Sequence, residues 1–289
     1  MKFVLSTAFS SVAHSVEIAK TADSHGWEAV SCSDHVVHPE TISTPYPYTA
    51  DGARRWDAFT DWPDPWVMIG AMATVTKHIK FTQNIYVLPM RNPLLVAKAV
   101  GTAAVISNNR VILTIGVGWS KDEFALLGQD FHNRGRRNDE MIEIMRKLWS
   151  GNMVEHHGEF YDFDRLEMNP APSEYVPLWT GGISEPAFKR AARIADGWLS
   201  DLQTSAEITD CINKIKRYRV DHGRADVPLS VMATPSDAFT IDAYQRLEDA
   251  GVTHILTQPW PFYSGASNKL EDKLDGIKRF ADDMIAKMS

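Results

Sequence analysis

Stretches with apolar residues three and four positions apart alternate with short apolar runs along almost the whole chain. Val12, Val16, Ala19 and Ala22 line one face of a first helix, Gly26 follows it, and residues 27–32 continue as a strand. Pro93 opens a helix carried by Leu94, Ala97, Val100 and Ala104; it stops at Asn108-Asn109 before a β-branched strand at 111–115. The cadence returns at 187–195, where Asp196-Gly197 precedes Trp198-Leu199, and at Ile241, Tyr244 and Leu247, where Gly251 precedes 252–257. A glycine just past a helix favours the left-handed cap that ends it. Continuous apolar runs suit strands covered on both faces, and helix–strand alternation implies a parallel sheet.

Strands are expected at 2–6, 27–32, 79–87, 111–115, 178–180, 198–200, 229–233 and 252–257. Eight of them predict an α/β fold closed as a (β/α)8 TIM barrel, with insertion loops at the C-terminal face where such barrels carry their chemistry. No Pro/Ser-rich linker divides the sequence, so residues 1–289 read as a single domain. Three segments interrupt the cadence. Residues 39–65 hold five prolines and many aromatics, among them Tyr46, Tyr48, Trp56, Phe59 and Trp62, and read either as a lid or as packed surface. Residues 152–163 read as a hairpin turning at His157-Gly158, and 259–265 follow the last strand.

The formal charge of −7, with no run of Lys or Arg, argues against nucleic acid or an anionic membrane as partner. Cys32 and Cys211 lie far apart and make no C-x-x-C pair, which fits a reducing cytoplasmic setting. The opening MKFVLSTAF is too short for a secretory leader, and no apolar run reaches the roughly 20 residues of a membrane span. His35 with His38, and His156-His157, raise the question of a metal. Barrel hydrolases place an H-x-H on the first strand, and residues 2–6 have none, so no metal site is expected. None of the expected strands ends in lysine, which weakens a Schiff-base reading.

Chemistry is expected where strands open into loops. Gly116-Val117-Gly118-Trp119 follows the fourth strand, and glycines there let backbone approach a planar ring or a phosphate. Thr180-Gly181-Gly182-Ile183-Ser184 leads into a helix near Pro186. Free amides at such a start make an anion site, with an ordinary Ser-capped turn as the alternative. Arg190, one turn on, is either extra charge for an anion or a surface ion pair. Arg134, Arg136 and Arg137 with Asp139 and Glu140 read as a solvated helix start, and Glu123 as a first-turn carboxylate favoured by the helix dipole.

Several motifs in fixed order carry a resemblance: VVHPETISTPYPY after Ser33-Asp34-His35, VLPMRNPLLVAK, GVGWSKDEF, RGRRNDE at 134–140, RKLWSG, and PLWTGGISEPAFKRAARIADGW. Over roughly the first two-thirds, to Trp198, the chain resembles the luciferase-like monooxygenase superfamily, in its subgroup of coenzyme F420-dependent oxidoreductases. The resemblance implies a flavin or 5-deazaflavin at the strand ends, with a non-prolyl cis peptide behind the ring in the Asn84-Ile85-Tyr86 region. It implies that His35, beside Asp34, faces the ring as acid/base; a structural Asp34–His35 pair is the alternative. Trp119 stands near where an acidic branch of the family carries a glutamate, and would wall a substrate pocket with Trp56, Trp62, Trp66 and Trp260. The glucose-6-phosphate dehydrogenase branch has a tryptophan four residues after the histidine, where this chain has Pro39, so that branch's substrate is not carried over.

Three functions stay open: F420-dependent hydride transfer to a small organic molecule, FMN-dependent two-component monooxygenation, and a non-catalytic flavin- or deazaflavin-binding barrel. The first two imply a partner enzyme that reduces the cofactor, and relatives of this kind are often homodimers.

Overall fold

Strands β1 (Lys2–Ser6), β2 (Ala29–Cys32), β3 (Lys80–Gln83), β4 (Tyr86–Val87) and β5 (Leu113–Gly116) alternate with helices α1 (Ser15–Asp23), α2 (Pro65–Ala73) and α3 (Pro93–Ser107). Next come α4 (Lys121–Leu126), α5 (Arg134–Leu148) and the antiparallel pair β6 (Val154–His157) and β7 (Asp162–Leu166). The second half runs β8 (Leu178–Gly181), α6 (Glu185–Ile194), β9 (Gly197–Asp201), α7 (Ser205–Asp221), β10 (Ser230–Thr234), α8 (Ile241–Ala250), β11 (His254–Thr257), α9 (Pro261–Ser264) and α10 (Leu270–Phe280). This computed structural model describes residues 1–288.

Nine parallel strands form one sheet in the order β3-β2-β1-β11-β10-β9-β8-β5-β4, and a Phe81–Val111 bridge brings β3 against the β5 side. The result is a nearly closed barrel with helices around it. Its third stave, expected as one strand over 79–87, is two: β3 and β4 are interrupted at Asn84-Ile85, whose peptide bond is cis. The other staves fall within a residue or two of expectation, and the hairpin turns just after His157.

Alternation along each strand separates two packing layers. Phe3 and Leu5 point out into the helix-facing core with Ile18, Ile69 and Val100, whereas Val4, Ala29, Ile112, Trp179 and Met232 fill the barrel interior. Helix ends follow local chemistry: Asp64 accepts from the Trp66 and Val67 amides before α2, and Thr204 with Glu207 forms a capping box at α7. Gly251 caps α8 at φ 111°, as read from sequence. Gly197 is not a cap. It lies inside β9, and a Cβ there would meet the Trp179 ring at 2.6 Å, so the glycine makes room for an indole.

Helices α2 and α3 pack together and are apolar on their outer faces too. Val67 is 71% exposed and Leu95 72%, with Val105 also exposed further along α3. Among the described residues, no helix is long and apolar enough to cross a membrane.

Candidate functional site

The break in the third stave sets the floor of a cavity of about 490 Å³ at the C-terminal ends of the strands. Asn84 is held there by Ser31 and Ser33, whose hydroxyls donate to its Oδ1 at 2.9 and 3.2 Å. Ile85 then projects between the exits of β5 and β8. A Cβ on Gly116 would fall 1.7 Å from Ile85 Cδ1, so this glycine admits the Ile85 side chain rather than leaving its own position open to a ligand. Asn84, Ile85, Gly116, Gly118, Gly181, Gly182, Ile183 and Ser184 all line the cavity.

His35 lines the same cavity, and its partner is not Asp34. The Glu123 carboxylate takes His35 Nδ1 at 2.8 Å through one oxygen and the Val36 amide at 2.8 Å through the other. Ser120 caps α4 by accepting from the Glu123 amide, which places this carboxylate in the first turn as expected. Burial pushes the Glu123 carboxyl up, but the His35 ring and the amides of Val36 and Val37 outweigh it and hold it below its ordinary value. With Nδ1 committed to Glu123, Nε2 is the ring nitrogen left for a ligand.

Asp34 is occupied otherwise. Arg91 grips it through both terminal nitrogens, at 2.6 and 2.7 Å, and the Val87 amide adds a third bond at 2.8 Å. Burial pushes the Asp34 carboxyl up, Arg91 opposes that rise, and the Arg91 guanidinium is itself held above its ordinary value. Three donors on one carboxylate make an ion pair that fixes the β2 exit against β4. Arg91 in turn covers Tyr86 at 4.4 Å, and Tyr86 packs edge-on against Trp66 at 5.8 Å.

Residues 39–64 form a wall of this cavity. Trp56 and Trp62 lie 4.7 and 4.8 Å from the His35 ring and Trp119 6.0 Å, with Tyr46 5.2 Å from Trp119. Polar ties hold the segment down: the Ser43 amide to Asp122, the Val12 amide to Asp61, and Arg55 to Asp201 at 2.9 Å. Arg55 also donates to the Tyr46 hydroxyl at 2.8 Å, and burial pushes the neighbouring Tyr48 phenol up to about 12.

Some expected residues lie elsewhere. Tyr86, Trp66 and Trp260 are buried but are not part of the cavity wall: the first two pack on each other, and Trp260 packs where a Cβ on Gly276 would be. Thr180 is buried just below the wall, on the strand that delivers Gly181. Arg190 pairs with Asp139 and donates to Gly135 O at 3.1 Å, so it serves the α5–α6 contact. The 134–140 stretch is fully solvated only at Arg136. Arg137 is buried on Pro89 O, Glu140 accepts from the Phe160 and Tyr161 amides of the hairpin, and Arg134 reaches the cavity. Among the described residues no group of three or more His, Cys, Asp or Glu side chains has a metal-binding arrangement.

Sequence reasoning missed Asp201, Arg55, Thr234 and Arg134 on the wall, and Glu123 as the histidine's partner. Asp201 ends β9, one residue beyond the expected strand. A signal for Arg134 was available: three arginines open α5 with no acid in the first turn, against the helix dipole.

A model of the luciferase-like monooxygenase family matches residues 3–282. An uncharacterized protein of Mycobacterium tuberculosis is 34% identical over 290 residues, covering 100% of both chains. The F420-dependent glucose-6-phosphate dehydrogenase of Nakamurella multipartita is 24% identical over 273 residues, covering 93% of this chain and 74% of its own. Among solved structures, the coenzyme F420-dependent tetrahydromethanopterin reductase of Methanopyrus kandleri aligns with a TM-score of 0.77 at 16% identity, covering 100% of this chain and 99% of the other.

Proposed function

This chain belongs to the luciferase-like monooxygenase family, and on that premise we propose that it is an oxidoreductase using coenzyme F420 on a small organic substrate. One observation carries the reading: His35, fixed through Nδ1 by Glu123, shares a cavity with the Ile85 floor and the Gly181–Ser184 turn. The residues fit a planar ring with an anionic tail. Ile85 offers an apolar floor between two strand exits, and Ser184 at the start of α6 makes no side-chain cap, leaving the first amides of that helix to another acceptor. When bound, the deazaflavin would supply or accept hydride at a ring carbon.

The chain's own groups do the rest. His35 Nε2 holds the proton that accompanies hydride, giving it to a carbonyl oxygen or taking it from an alcohol. Glu123 fixes the ring's orientation and tautomer, while Asp34 with Arg91 holds the strand end on which His35 sits. Trp56, Trp62 and Trp119 exclude water from the histidine and give the substrate an apolar enclosure. Pro39 stands where a tryptophan stands in the glucose-6-phosphate dehydrogenase branch, so the substrate is taken to be something other than that sugar phosphate.

The names of curated relatives support F420 over FMN as the cofactor. Titration of the protein with each, oxidised and reduced, tests it. Tighter binding of F420, with turnover that consumes no oxygen, is expected. Tight binding of FMN with oxygen consumption would replace this reading by two-component monooxygenation. Binding without hydride transfer across a broad substrate panel would leave a non-catalytic barrel. A cofactor-reducing enzyme is the expected partner, and the exposed apolar faces of α2 and α3 are the proposed homodimer contact.

A further inference from the structure

The two halves of the cavity floor differ in polarity. Val4, Leu199 and Met232 fill the barrel interior, and strand alternation places Ser6, Asp201 and Thr234 one step further along the same inward faces. Asp201 and Thr234 are register partners on β9 and β10, so they stand side by side. Around Ile85, Gly116 and Gly181 the other half is apolar.

The 39–64 segment closes over the polar half. Arg55 Nη2 donates to Asp201 Oδ2 at 2.9 Å, and Arg55 Nε and Nη2 donate to the Tyr46 hydroxyl at 3.0 and 2.8 Å. Nη1 takes no part in these bonds. Among the described residues Asp201 Oδ1 and the Tyr48 hydroxyl have no hydrogen-bond partner, and Thr234 Oγ1 is buried without one. With its phenol held at about 12 by burial, Tyr48 keeps its proton at neutral pH.

The formal charges of Arg55 and Asp201 cancel. An ionised carboxylate entering here gains Arg55 but faces Asp201, and an ammonium group meets the reverse. A neutral hydroxyl donates to Asp201 Oδ1 and accepts from Arg55 or Tyr48, so no charge is left unopposed. This patch is set apart from His35. The His35 ring packs on Trp56 at 4.7 Å, Trp56 packs edge-on against Tyr46 at 5.3 Å, and Tyr46 carries its hydroxyl to Arg55.

We propose that Arg55 and Asp201 set substrate specificity by binding a neutral hydroxyl group remote from the carbon that reacts at His35. The proposal rests on the cofactor reading above and adds a substrate class to it: a largely apolar molecule with a carbonyl or alcohol that reacts at one end and a second hydroxyl at the other. A site that hydrogen-bonds a hydroxyl rejects an analogue that cannot return those bonds, because its own polar groups are then left unpaired.

Acetophenones with a para hydroxymethyl, methoxymethyl, carboxylate or aminomethyl group test it. Each is titrated calorimetrically into wild type, Asp201→Asn and Arg55→Met, with and without F420. Wild type should bind the hydroxymethyl probe about tenfold tighter than the other three. Asp201→Asn leaves Arg55 unopposed and should turn the preference to the carboxylate. Arg55→Met leaves Asp201 unopposed and should turn it to the aminomethyl probe. A pair that only tethers residues 39–64 would weaken all four probes alike in both variants. That result overturns the proposal, as does a wild type with no preference for the hydroxymethyl probe, failure of every probe to bind included. If F420 does not bind, the cofactor reading fails, and the ranking measured without it still decides the role of Arg55 and Asp201.

Discussion

The two ends of this barrel differ in how far their polar groups are answered within the chain, although Asn109 Oδ1 before β5 is buried without a hydrogen-bond partner at the N-terminal end. At the N-terminal ends of the strands, Glu28 accepts from Lys2 at 3.1 Å and Lys80 at 2.9 Å, and Asp23 accepts from the amides of Lys77, His78 and Ile79. His254, packed edge-on against Trp179, is pushed down to about 4 by burial and is neutral at neutral pH. These groups are answered within the chain. At the C-terminal ends His35 leaves one ring nitrogen free, Arg134 has no carboxylate among the described residues, and Thr234 Oγ1 is buried on the cavity wall with no hydrogen-bond partner. Buried polar groups are normally satisfied, so a concentration of unanswered ones marks where a ligand is meant to complete them. One end closes the fold; the other presents polar groups to the cavity.

If that division is right, His35→Ala should lower kcat by about 10²- to 10⁴-fold, the usual contribution of general acid–base catalysis, with cofactor Kd almost unchanged. Unaltered turnover would remove the histidine's role. Glu123→Gln should cost about tenfold in kcat, since Glu123 orients the His35 ring and does not itself react. It also has a pH signature. Because the Glu123 carboxyl lies below its ordinary value in the folded protein, it contributes stability at neutral pH that is lost as acid protonates it. The Tm gap between wild type and Glu123→Gln should narrow as pH falls below about 4.5, and a gap independent of pH would contradict the pairing.

Smaller effects sharpen the contrast. Arg55→Met strands the Asp201 carboxylate under the 39–64 wall, and a loss on the order of 1 kcal/mol is expected in denaturant melts. Adding Asp201→Asn should recover most of it. Glu28→Gln, at the opposite end, should cost roughly 0.5–1 kcal/mol, because its lysine partners are half exposed, and leave kcat/KM untouched. A kinetic defect there would break the division between the ends.

The barrel was legible because apolar runs and helix periodicity repeat along the chain, and burial on both strand faces imposes that pattern. The break at Asn84-Ile85 was not legible from the pattern, since the apolar run passes through it; only family resemblance pointed there. Glu123 was read correctly as a first-turn carboxylate, and that local explanation hid its partner 88 residues away. Trp66 and Trp260 misled because an aromatic near a loop says nothing about which way its element turns it. The start of α2 buries one against Tyr86, and packing on α10 buries the other.

A structure of the protein with its bound chromophore would decide where the ring lies. The expected result is a tricyclic ring lying on Ile85 between Gly116 and Gly181, with His35 Nε2 facing its reactive edge and its phosphate within hydrogen-bonding distance of the amides at 182–184. A ring found away from Ile85, or a phosphate remote from that turn, would contradict it.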